Sequence, residues 1–135
     1  MKAYVIRPIG YIRSEIKRRK DAPLFRTLGA PNAFVELNSK YRVGLNQVKV
    51  GDDIIVITWL HRAHRETLRV HARGDASRPL VGVFLTRSPD RPNPIGLHRV
   101  KVLEVTANGL LVGPIEAIDG TPVVDIKPVV DEADF

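Results

Sequence analysis

The amino-acid sequence predicts an all-β protein with few short helical turns. Its β-branched and aromatic residues form short apolar runs, which are separated by Gly, Pro, Asn and Asp. No long segment has the spacing of an amphipathic helix. About seven or eight short strands of this kind are typical of a β-barrel or a β-sandwich. Because 135 residues is the length of one domain, we expect residues 1–135 to form a single domain.

The N-terminal third contains three predicted strands and a long loop. Residues 4–7 and 10–12 are apolar runs on either side of Pro8, which restricts its position to a strand edge, a bulge or a bend. Residues 13–32 are polar and basic, and they predict a long loop. Residues 33–37 alternate between apolar and polar side chains, which predicts a short strand.

The middle of the chain contains the most hydrophobic predicted strand. Residues 41–50 have a mixed pattern that predicts one or two helical turns, ended by a Gly-Asp pair. Residues 53–60 (DIIVITWL) are β-branched and aromatic, and we expect them to form a well-buried central strand. Residues 67–71 and 81–86 predict two further strands.

The last third predicts a β-hairpin and a final strand. Residues 100–105 alternate between apolar and polar side chains and predict the first strand of the hairpin. Asn108 and Gly109 provide the positive φ angles of a tight turn, and residues 110–112 predict the second strand. Residues 123–126 are again β-branched and are followed by Pro128, where we expect this strand to end.

Composition and charge narrow the classes of function. The chain has no cysteine, which excludes a disulfide scaffold, a thiolate nucleophile and a Cys-ligated metal. No apolar run approaches the roughly 18 residues of a membrane span, and the N-terminus lacks the apolar stretch of a signal peptide, so we expect a cytoplasmic protein. The net charge is +6, and a basic protein suits a polyanionic partner such as RNA.

The most informative segment is residues 82–97 (GVFLTRSPDRPNPIGL), which contains three prolines. Prolines restrict their own φ angle and the residue before them, so we expect the loop after the predicted strand at 81–86 to be stiff and extended. A stiff segment lowers the entropic cost of presenting Arg87, Ser88, Arg91 and Asn93 in one geometry. We therefore predict a binding site here, the alternative being a structural crossover whose arginines are solvated.

The motif TRSPDRPNPIGL at residues 86–97 resembles the TrmO/TsaA-like proteins, S-adenosylmethionine-dependent methyltransferases that act on tRNA. Further matches lie at residues 8–10 (PIG), 59–61 (WLH) and 119–128 (DGTPVVDIKP), so that the resemblance covers essentially the whole chain. It implies a compact β-barrel that works as a homodimer, with the cofactor near the subunit interface. Independently, no G-x-G-x-x-G follows a predicted strand, which argues against a Rossmann fold.

The resemblance also implies which residues contact S-adenosylmethionine. A guanidinium fork matches a carboxylate, so Arg62 or Arg87 can pair with the carboxylate of the cofactor. Asp119 can accept a hydrogen bond from a ribose hydroxyl or from the ammonium group, although Asp-Gly-Thr-Pro is also good chemistry for an ordinary reverse turn. The implied cofactor-binding residues are Pro23, Leu24, Phe25, His61, Arg62, Arg87, Leu97, Asp119, Gly120, Thr121 and Pro122.

The family's methyl acceptor is N6 of threonylcarbamoyladenosine next to the tRNA anticodon. Its N–H is a poor nucleophile, so a base within hydrogen-bonding distance would assist the transfer. His61, Asp119 and Asp125 are the candidate bases, and the sequence does not choose among them. Positioning of the reactants without a dedicated base is a further possibility.

Basic and aromatic side chains outside the cofactor set are candidates for RNA contacts. A run of four basic residues lies in the predicted long loop, where it can follow the phosphates of an RNA. Tyr11, Phe25 and Tyr41 are candidates to stack on an unpaired base. His61 and His64 lack a nearby Cys or placed carboxylate, so we predict no metal site. The predicted RNA-contacting residues are Lys17, Arg18, Arg19, Lys20, Arg91 and Asn93.

Three other functions compete with this interpretation. A small-molecule methyltransferase of the same fold is favoured by Leu24 and Phe25, because many family members have Arg-Gln at these positions. It is also favoured by the absence of the C-terminal domain of longer members. A non-catalytic RNA-binding barrel would need several exposed aromatic residues, whereas Phe34, Trp59 and Phe84 lie in apolar runs that we expect to be buried. A metal-dependent hydrolase built on the histidines is the least favoured.

Overall fold

The computed structural model describes residues 1–22 and 29–130. Six of its strands form a closed antiparallel barrel in the order β1-β2-β7-β6-β3-β8, and β4 and β5 form a separate two-stranded sheet. The prediction of an all-β protein, and of a barrel rather than a Rossmann fold, is therefore confirmed. The strands are β1 (Gly10–Arg13), β2 (Ala33–Leu37), β3 (Asp53–Trp59), β4 (Arg69–His71), β5 (Leu80–Gly82), β6 (Ile95–Thr106), β7 (Gly109–Gly113) and β8 (Pro122–Pro128).

The barrel interior is filled by every second residue of its strands. Side chains alternate across a strand, so a period of two in the sequence places one set inside and the other outside. On β3 the buried residues are Ile54, Val56 and Thr58, and the residues between them are half-buried on the outer face. Burying one such aliphatic side chain stabilises the fold by about 1.5–3 kcal/mol. The fully buried aliphatic side chains include Ile12, Val35, Val56, Val102, Leu110, Val112, Ile115 and Val123.

The strand directions place three connections at one end of the barrel. Each strand is antiparallel to both of its neighbours, so β1, β3 and β7 end where β2, β6 and β8 begin. We call this the upper end. The connections that meet there are residues 14–32 (β1–β2), 60–94 (β3–β6) and 114–121 (β7–β8). The opposite, lower end has residues 1–9 and the connections at 38–52 and 107–108.

The seam between β1 and β8 closes the barrel over a short distance. Gly10 pairs with Val123, and Tyr11 pairs with Pro122. Beyond them the backbone amide of Ile12 donates to the carbonyl of Thr121 at 2.9 Å, and the amide of Gly120 donates to the carbonyl of Ile12 at 2.7 Å. The turn that precedes β8 therefore extends the seam past its last strand pair.

Several predicted elements are confirmed with their boundaries nearly unchanged. The strand predicted at residues 33–37 is β2, and the hairpin predicted around Asn108 and Gly109 joins β6 to β7. Both depend on local signals, the alternation of apolar residues and a turn with a glycine, although of the expected pair only Gly109 has a positive φ and Asn108 does not. The helical turns expected within residues 41–50 form a 3-10 helix at Ser39–Leu45.

The strand predicted at residues 4–7 is wrong, because residues 1–9 contain no strand. Tyr4 and Val5 are exposed, and Pro8 has no N–H to give to a neighbouring strand. Within this segment the amide of Ile9 bonds to Val123, and the carbonyl of Ile9 accepts from Asn38. Regular pairing of β1 starts only at Gly10.

The strand predicted at residues 81–86 is also wrong in its second half. Strand β5 covers Leu80–Gly82, and Val83–Leu85 form a 3-10 turn. The side chain of Arg91 donates to the carbonyls of Val83 and Thr86, and these bonds hold the turn. Phe84, expected to be buried, is 82% exposed, while Phe34 and Trp59 are half-buried.

The last part of the motif segment also departs from its prediction. The extended loop expected after residues 81–86 ends within the motif, because β6 begins at Ile95, so the final three residues of the motif belong to the barrel. The central strand predicted at residues 53–60 is β3, one residue shorter and half-buried on its outer face instead of buried on both.

Gly109 provides a test of the hairpin between β6 and β7. Its φ is +153°, and a Cβ added there would lie 1.9 Å from the carbonyl oxygen of Val35 on β2. We expect Gly109→Ala to lower the free energy of unfolding by about 2 kcal/mol or more, because both the backbone and its neighbour must shift. Gly44→Ala is the control, since nothing lies within 4 Å of a Cβ at that position. Equal urea midpoints for the two variants would show that the hairpin does not require a glycine at position 109.

Candidate functional site

Asp90 joins two of the connections at the upper end. Its carboxylate accepts from the guanidinium of Arg19 at 2.5 Å and from the backbone amide of His64 at 2.8 Å. Burial raises the pKa of Asp90, but the bonds from Arg19 and His64 outweigh it and hold this pKa below its ordinary value. The guanidinium of Arg19 also reaches the carbonyl of Arg62. Segment 14–22 is thereby fixed to connection 60–94.

Asp119 joins the same segment to the third connection. Its carboxylate accepts from the backbone amide of Ser14 at 2.9 Å and pairs with the ammonium of Lys17 at 3.1 Å. The bond from Ser14 lowers the pKa of Asp119, burial raises it, and Lys17 lowers it further, so that this pKa lies below its ordinary value. Thr121 is buried, and its hydroxyl donates to the carbonyl of Ile118. The turn at 118–121 is therefore held by its own side chains.

Connection 60–94 also contains exposed cationic groups. Arg62 and Arg87 are exposed, and their guanidinium groups have no hydrogen bond or ion pair with the residues that the structure describes. His61 lies beside Arg62, and burial together with this positive neighbour lowers the pKa of His61. His61 is consequently a neutral imidazole near pH 7.

Three of the predicted site residues, Leu97, Pro122 and Asp125, lie on strands and not in the upper connections, Pro122 as the first residue of β8. Leu97 is the third residue of β6, points outward and pairs with Ile57 on β3. Asp125 lies on β8, where it forms an ion pair with Lys127 at 3.0 Å. Asp125 also lines an open depression at the lower end, bounded by Ile9, Tyr41 and Asp53. The structure does not bring Asp125 together with the other two candidate bases.

The four basic residues predicted to follow an RNA are largely engaged within the fold. Lys17 pairs with Asp119, Arg18 pairs with Asp21, and Arg19 pairs with Asp90. Lys20 is exposed and has no such partner in the described part of the chain. Three of the four charges are thus balanced by carboxylates.

The remaining predicted contacts lie near these connections or outside the described residues. Arg91 holds the 3-10 turn at Val83–Leu85, as described above, and Asn93 accepts a bond from Arg65 at 3.1 Å. Tyr11 is exposed on β1, and Tyr41 is half-buried at the lower end. Pro23, Leu24 and Phe25 lie outside the described residues.

A buried polar chain beneath the upper end was not predicted. His98 on β6 is 4% exposed, and its two ring nitrogens lie 2.7 Å from the hydroxyl of Thr58 and 2.7 Å from the carboxylate of Glu116. A neutral ring with its proton on Nδ1 fits both neighbouring groups, because it donates a hydrogen bond to the Glu116 carboxylate and accepts one from the Thr58 hydroxyl. Gly96 leaves room for this chain, since a Cβ there would lie 2.5 Å from the Thr58 hydroxyl. The alternation of β6 was the available signal, because it places His98 on the same face as Val100.

Within residues 1–22 and 29–130, no three His, Cys, Asp or Glu side chains form a group that could hold a metal ion. No helix in those ranges has the length and apolarity that crossing a membrane requires.

Fold and site define a small antiparallel β-barrel with three connections gathered at one end, among them the strongly basic 60–94, a class distinct from Rossmann-type nucleotide-binding proteins. The chain belongs to the family of the tRNA-methyltransferase O N-terminal domain, which matches residues 11–135.

Relatives and solved structures agree with this assignment. The chain is 40% identical over 130 residues to an S-adenosyl-L-methionine-binding protein of Archaeoglobus fulgidus, covering 96% of this chain and 92% of that protein. It is 40% identical over 129 residues to a probable S-adenosyl-L-methionine-binding protein of Methanothermobacter thermautotrophicus, again covering 96% and 92%. The crystal structure of TrmO from Pseudomonas aeruginosa superimposes with a TM-score of 0.75 at 29% identity, covering 98% of this chain. This chain spans 58% of that TrmO chain.

The link through Asp90 predicts a stability that depends on pH. Because the folded state lowers the pKa of Asp90, its stabilisation is present above the ordinary carboxyl value of 3.8 and is lost as the pH falls through the lowered pKa. At pH 7 we expect Asp90→Ala to lower the free energy of unfolding by about 1.5–3 kcal/mol, since it removes two hydrogen bonds to a charged group.

The control for this prediction is Asp21→Ala, which removes the exposed ion pair with Arg18 and should cost about 0–1 kcal/mol. Urea unfolding at pH 7 and at about pH 3 measures both variants. A difference between wild type and Asp90→Ala that is as large in acid as at pH 7 would show that the charge of Asp90 is not what holds the connections.

Proposed function

We propose that this chain binds S-adenosylmethionine at the upper end of the barrel and transfers its methyl group to tRNA. The specific reaction that we propose is N6-methylation of threonylcarbamoyladenosine next to the anticodon. The observation that carries the proposal is that His61, Arg62, Arg87 and the turn at 118–121 all belong to connections at one barrel end. The names of the similar proteins support the same cofactor and the same class of reaction.

The side chains at the upper end suit the chemistry of this cofactor. When bound, S-adenosylmethionine supplies an electrophilic methyl group on a sulfonium centre. The unpartnered guanidinium groups of Arg62 and Arg87 suit its carboxylate, because a guanidinium pairs with a carboxylate through two parallel hydrogen bonds. Gly120 has a φ of +82°, with nothing within 4 Å of a Cβ, so the backbone of this turn is open to a ligand.

Among the candidate bases, we propose His61. A base must be unprotonated at the working pH and must have a free lone pair. The lowered pKa of His61 keeps its imidazole neutral, whereas both carboxylate oxygens of Asp119 already accept bonds that disfavour protonation. Asp125 pairs with Lys127 away from the upper connections. His61 is therefore the candidate whose proton-accepting atom is least committed to the fold.

We also propose that the protein is a homodimer whose cofactor site lies near the subunit interface. Leu97, a predicted cofactor contact, is 52% exposed on the outer face of β6, beside the exposed Ile95. A second copy against β6 would bring Leu97 to the edge of a shared site, and a tRNA substrate implies that the dimer works in the cytoplasm.

Calorimetric titration with S-adenosylmethionine and S-adenosylhomocysteine tests the cofactor site. We expect micromolar binding, about −8 kcal/mol, and a loss of about tenfold or more in Arg87→Ala, because a charge-assisted pair with the carboxylate is removed. Arg7→Ala is the matched control, since Arg7 is an exposed arginine in the segment before β1, at the lower end, and has no hydrogen bond or ion pair with the described residues. Equal affinities for wild type and Arg87→Ala would remove Arg87 from the site, and no binding by wild type would refute the cofactor proposal.

The pH dependence of methyl transfer tests His61. The wild-type rate should rise with pH through a pKa below the ordinary value of 6.5 and then level off, because the imidazole accepts a proton only when it is neutral. In His61→Gln we expect this rise to disappear and the rate to fall by about 100-fold or more. His64→Gln, a change three residues away in the same connection, should retain the wild-type profile. An unchanged profile in His61→Gln would favour positioning without a base.

A further inference from the structure

The 3-10 turn at Val83–Leu85 is firmly held and presents large apolar side chains to solvent. Val83 is buried beneath the turn, and its amide donates to the carbonyl of Leu68 at 3.0 Å. The guanidinium of Arg91 and the hydroxyl of Thr86 both donate to the carbonyl of Val83. Because the backbone is fixed from several sides, little conformational entropy remains to be lost when the turn binds a partner.

Phe84 and Leu85 project from this turn, and each is 82% exposed. Leu68, which bonds to the base of the turn, is also exposed. Such a cluster on a rigid backbone costs solubility and is typical of a recognition surface. An aromatic ring with an open face is the group that stacks on unpaired nucleobases.

The charge around this cluster favours a polyanionic partner. Connection 60–94 contains seven arginines against three acidic residues, a net charge of +4. Two of the three acids are engaged within the fold, Asp90 with Arg19 and Asp75 with Ser77. Arg69 pairs with Gly82 in the β4–β5 sheet, next to the turn, and its exposed guanidinium has no partner in the described ranges.

We propose that Phe84, flanked by Arg69, is a stacking site for an unpaired nucleobase of the RNA substrate. This inference rests on the proposed RNA substrate and adds the part of the substrate that is recognised. The ring of Phe84 stacks on the base, and the guanidinium of Arg69 neutralises a neighbouring phosphate. A protein partner would require acidic groups facing the arginines, and a second copy of this chain would bring a second connection of net charge +4 against the first.

Binding of a short single-stranded RNA and of the duplex of the same sequence, followed by fluorescence anisotropy of labelled RNA, tests this site in the full chain. We expect Phe84→Ala to weaken binding of the single strand by about 5- to 100-fold and to leave duplex binding nearly unchanged. Phe84→Trp should retain the affinity, because it keeps the stacking surface. Tyr4→Ala is the control for an exposed aromatic, since Tyr4 is 87% exposed in the segment before β1.

The salt dependence separates the two residues. Phe84→Ala should leave the slope of affinity against salt unchanged, because the ring carries no charge. Arg69→Ala should reduce that slope by about one unit, the effect of one lost phosphate contact.

Each outcome decides between distinct possibilities. Equal RNA affinity of wild type and Phe84→Ala, with the fold verified by circular dichroism, would overturn the stacking site and leave the proposed function standing. If Phe84→Ala instead changes the sedimentation of the free protein, the turn is a contact between copies of this chain. If wild type binds S-adenosylmethionine but neither RNA probe, the stacking site is refuted and the cofactor proposal survives.

Discussion

The closure of the barrel between β1 and β8 is the constraint on which the rest of the molecule depends. Strand pairing there extends only over Gly10 and Tyr11, and the turn at 118–121 continues it through backbone bonds to Ile12 and through Asp119 to Ser14. Antiparallel pairing sets the direction of each strand, so that three connections share one end. The seam then brings segment 14–22 beside connection 114–121, and it therefore determines which groups can meet at a site.

The connections gathered by this closure divide their side chains between structure and binding. Asp90 and Asp119 accept hydrogen bonds that fix one connection to another, and Arg91 donates hydrogen bonds that hold a turn. Arg62 and Arg87 retain unpartnered guanidinium groups among the residues described. A residue in the characteristic motif is therefore not automatically a ligand contact. The carboxylates fix the frame, and the unpartnered cations remain for a ligand, an arrangement that reduces the reorganisation needed on binding.

Sequence reasoning succeeded where the deciding interactions are local. Strand β2 follows from its own alternation, and the β6–β7 hairpin follows from the turn at Asn108 and Gly109. It failed where the deciding partner is distant. The 3-10 turn at Val83–Leu85 depends on Arg91, eight residues later, and the engagement of Arg19 depends on Asp90, 71 residues later. No periodicity reports such pairs, so they became visible only in three dimensions.

The unbalanced positive charge of the fold lies where the basic side chains have no carboxylate partner. In sequence the four consecutive basic residues at 17–20 are the most obvious candidate for RNA contacts, but three of them are balanced by carboxylates: Arg18 by Asp21 of the same segment, and two others by Asp119 and Asp90, which the fold brings beside them. Connection 60–94 has its arginines spread along the chain, and two of its three acids are engaged. A polyanion responds to charge that is left unbalanced in the fold, not to the density of lysine and arginine in the sequence. Unbalanced charge therefore lies on the same connection as Arg87, His61 and the exposed ring of Phe84, which brings the proposed cofactor-binding and RNA-binding groups onto one continuous segment.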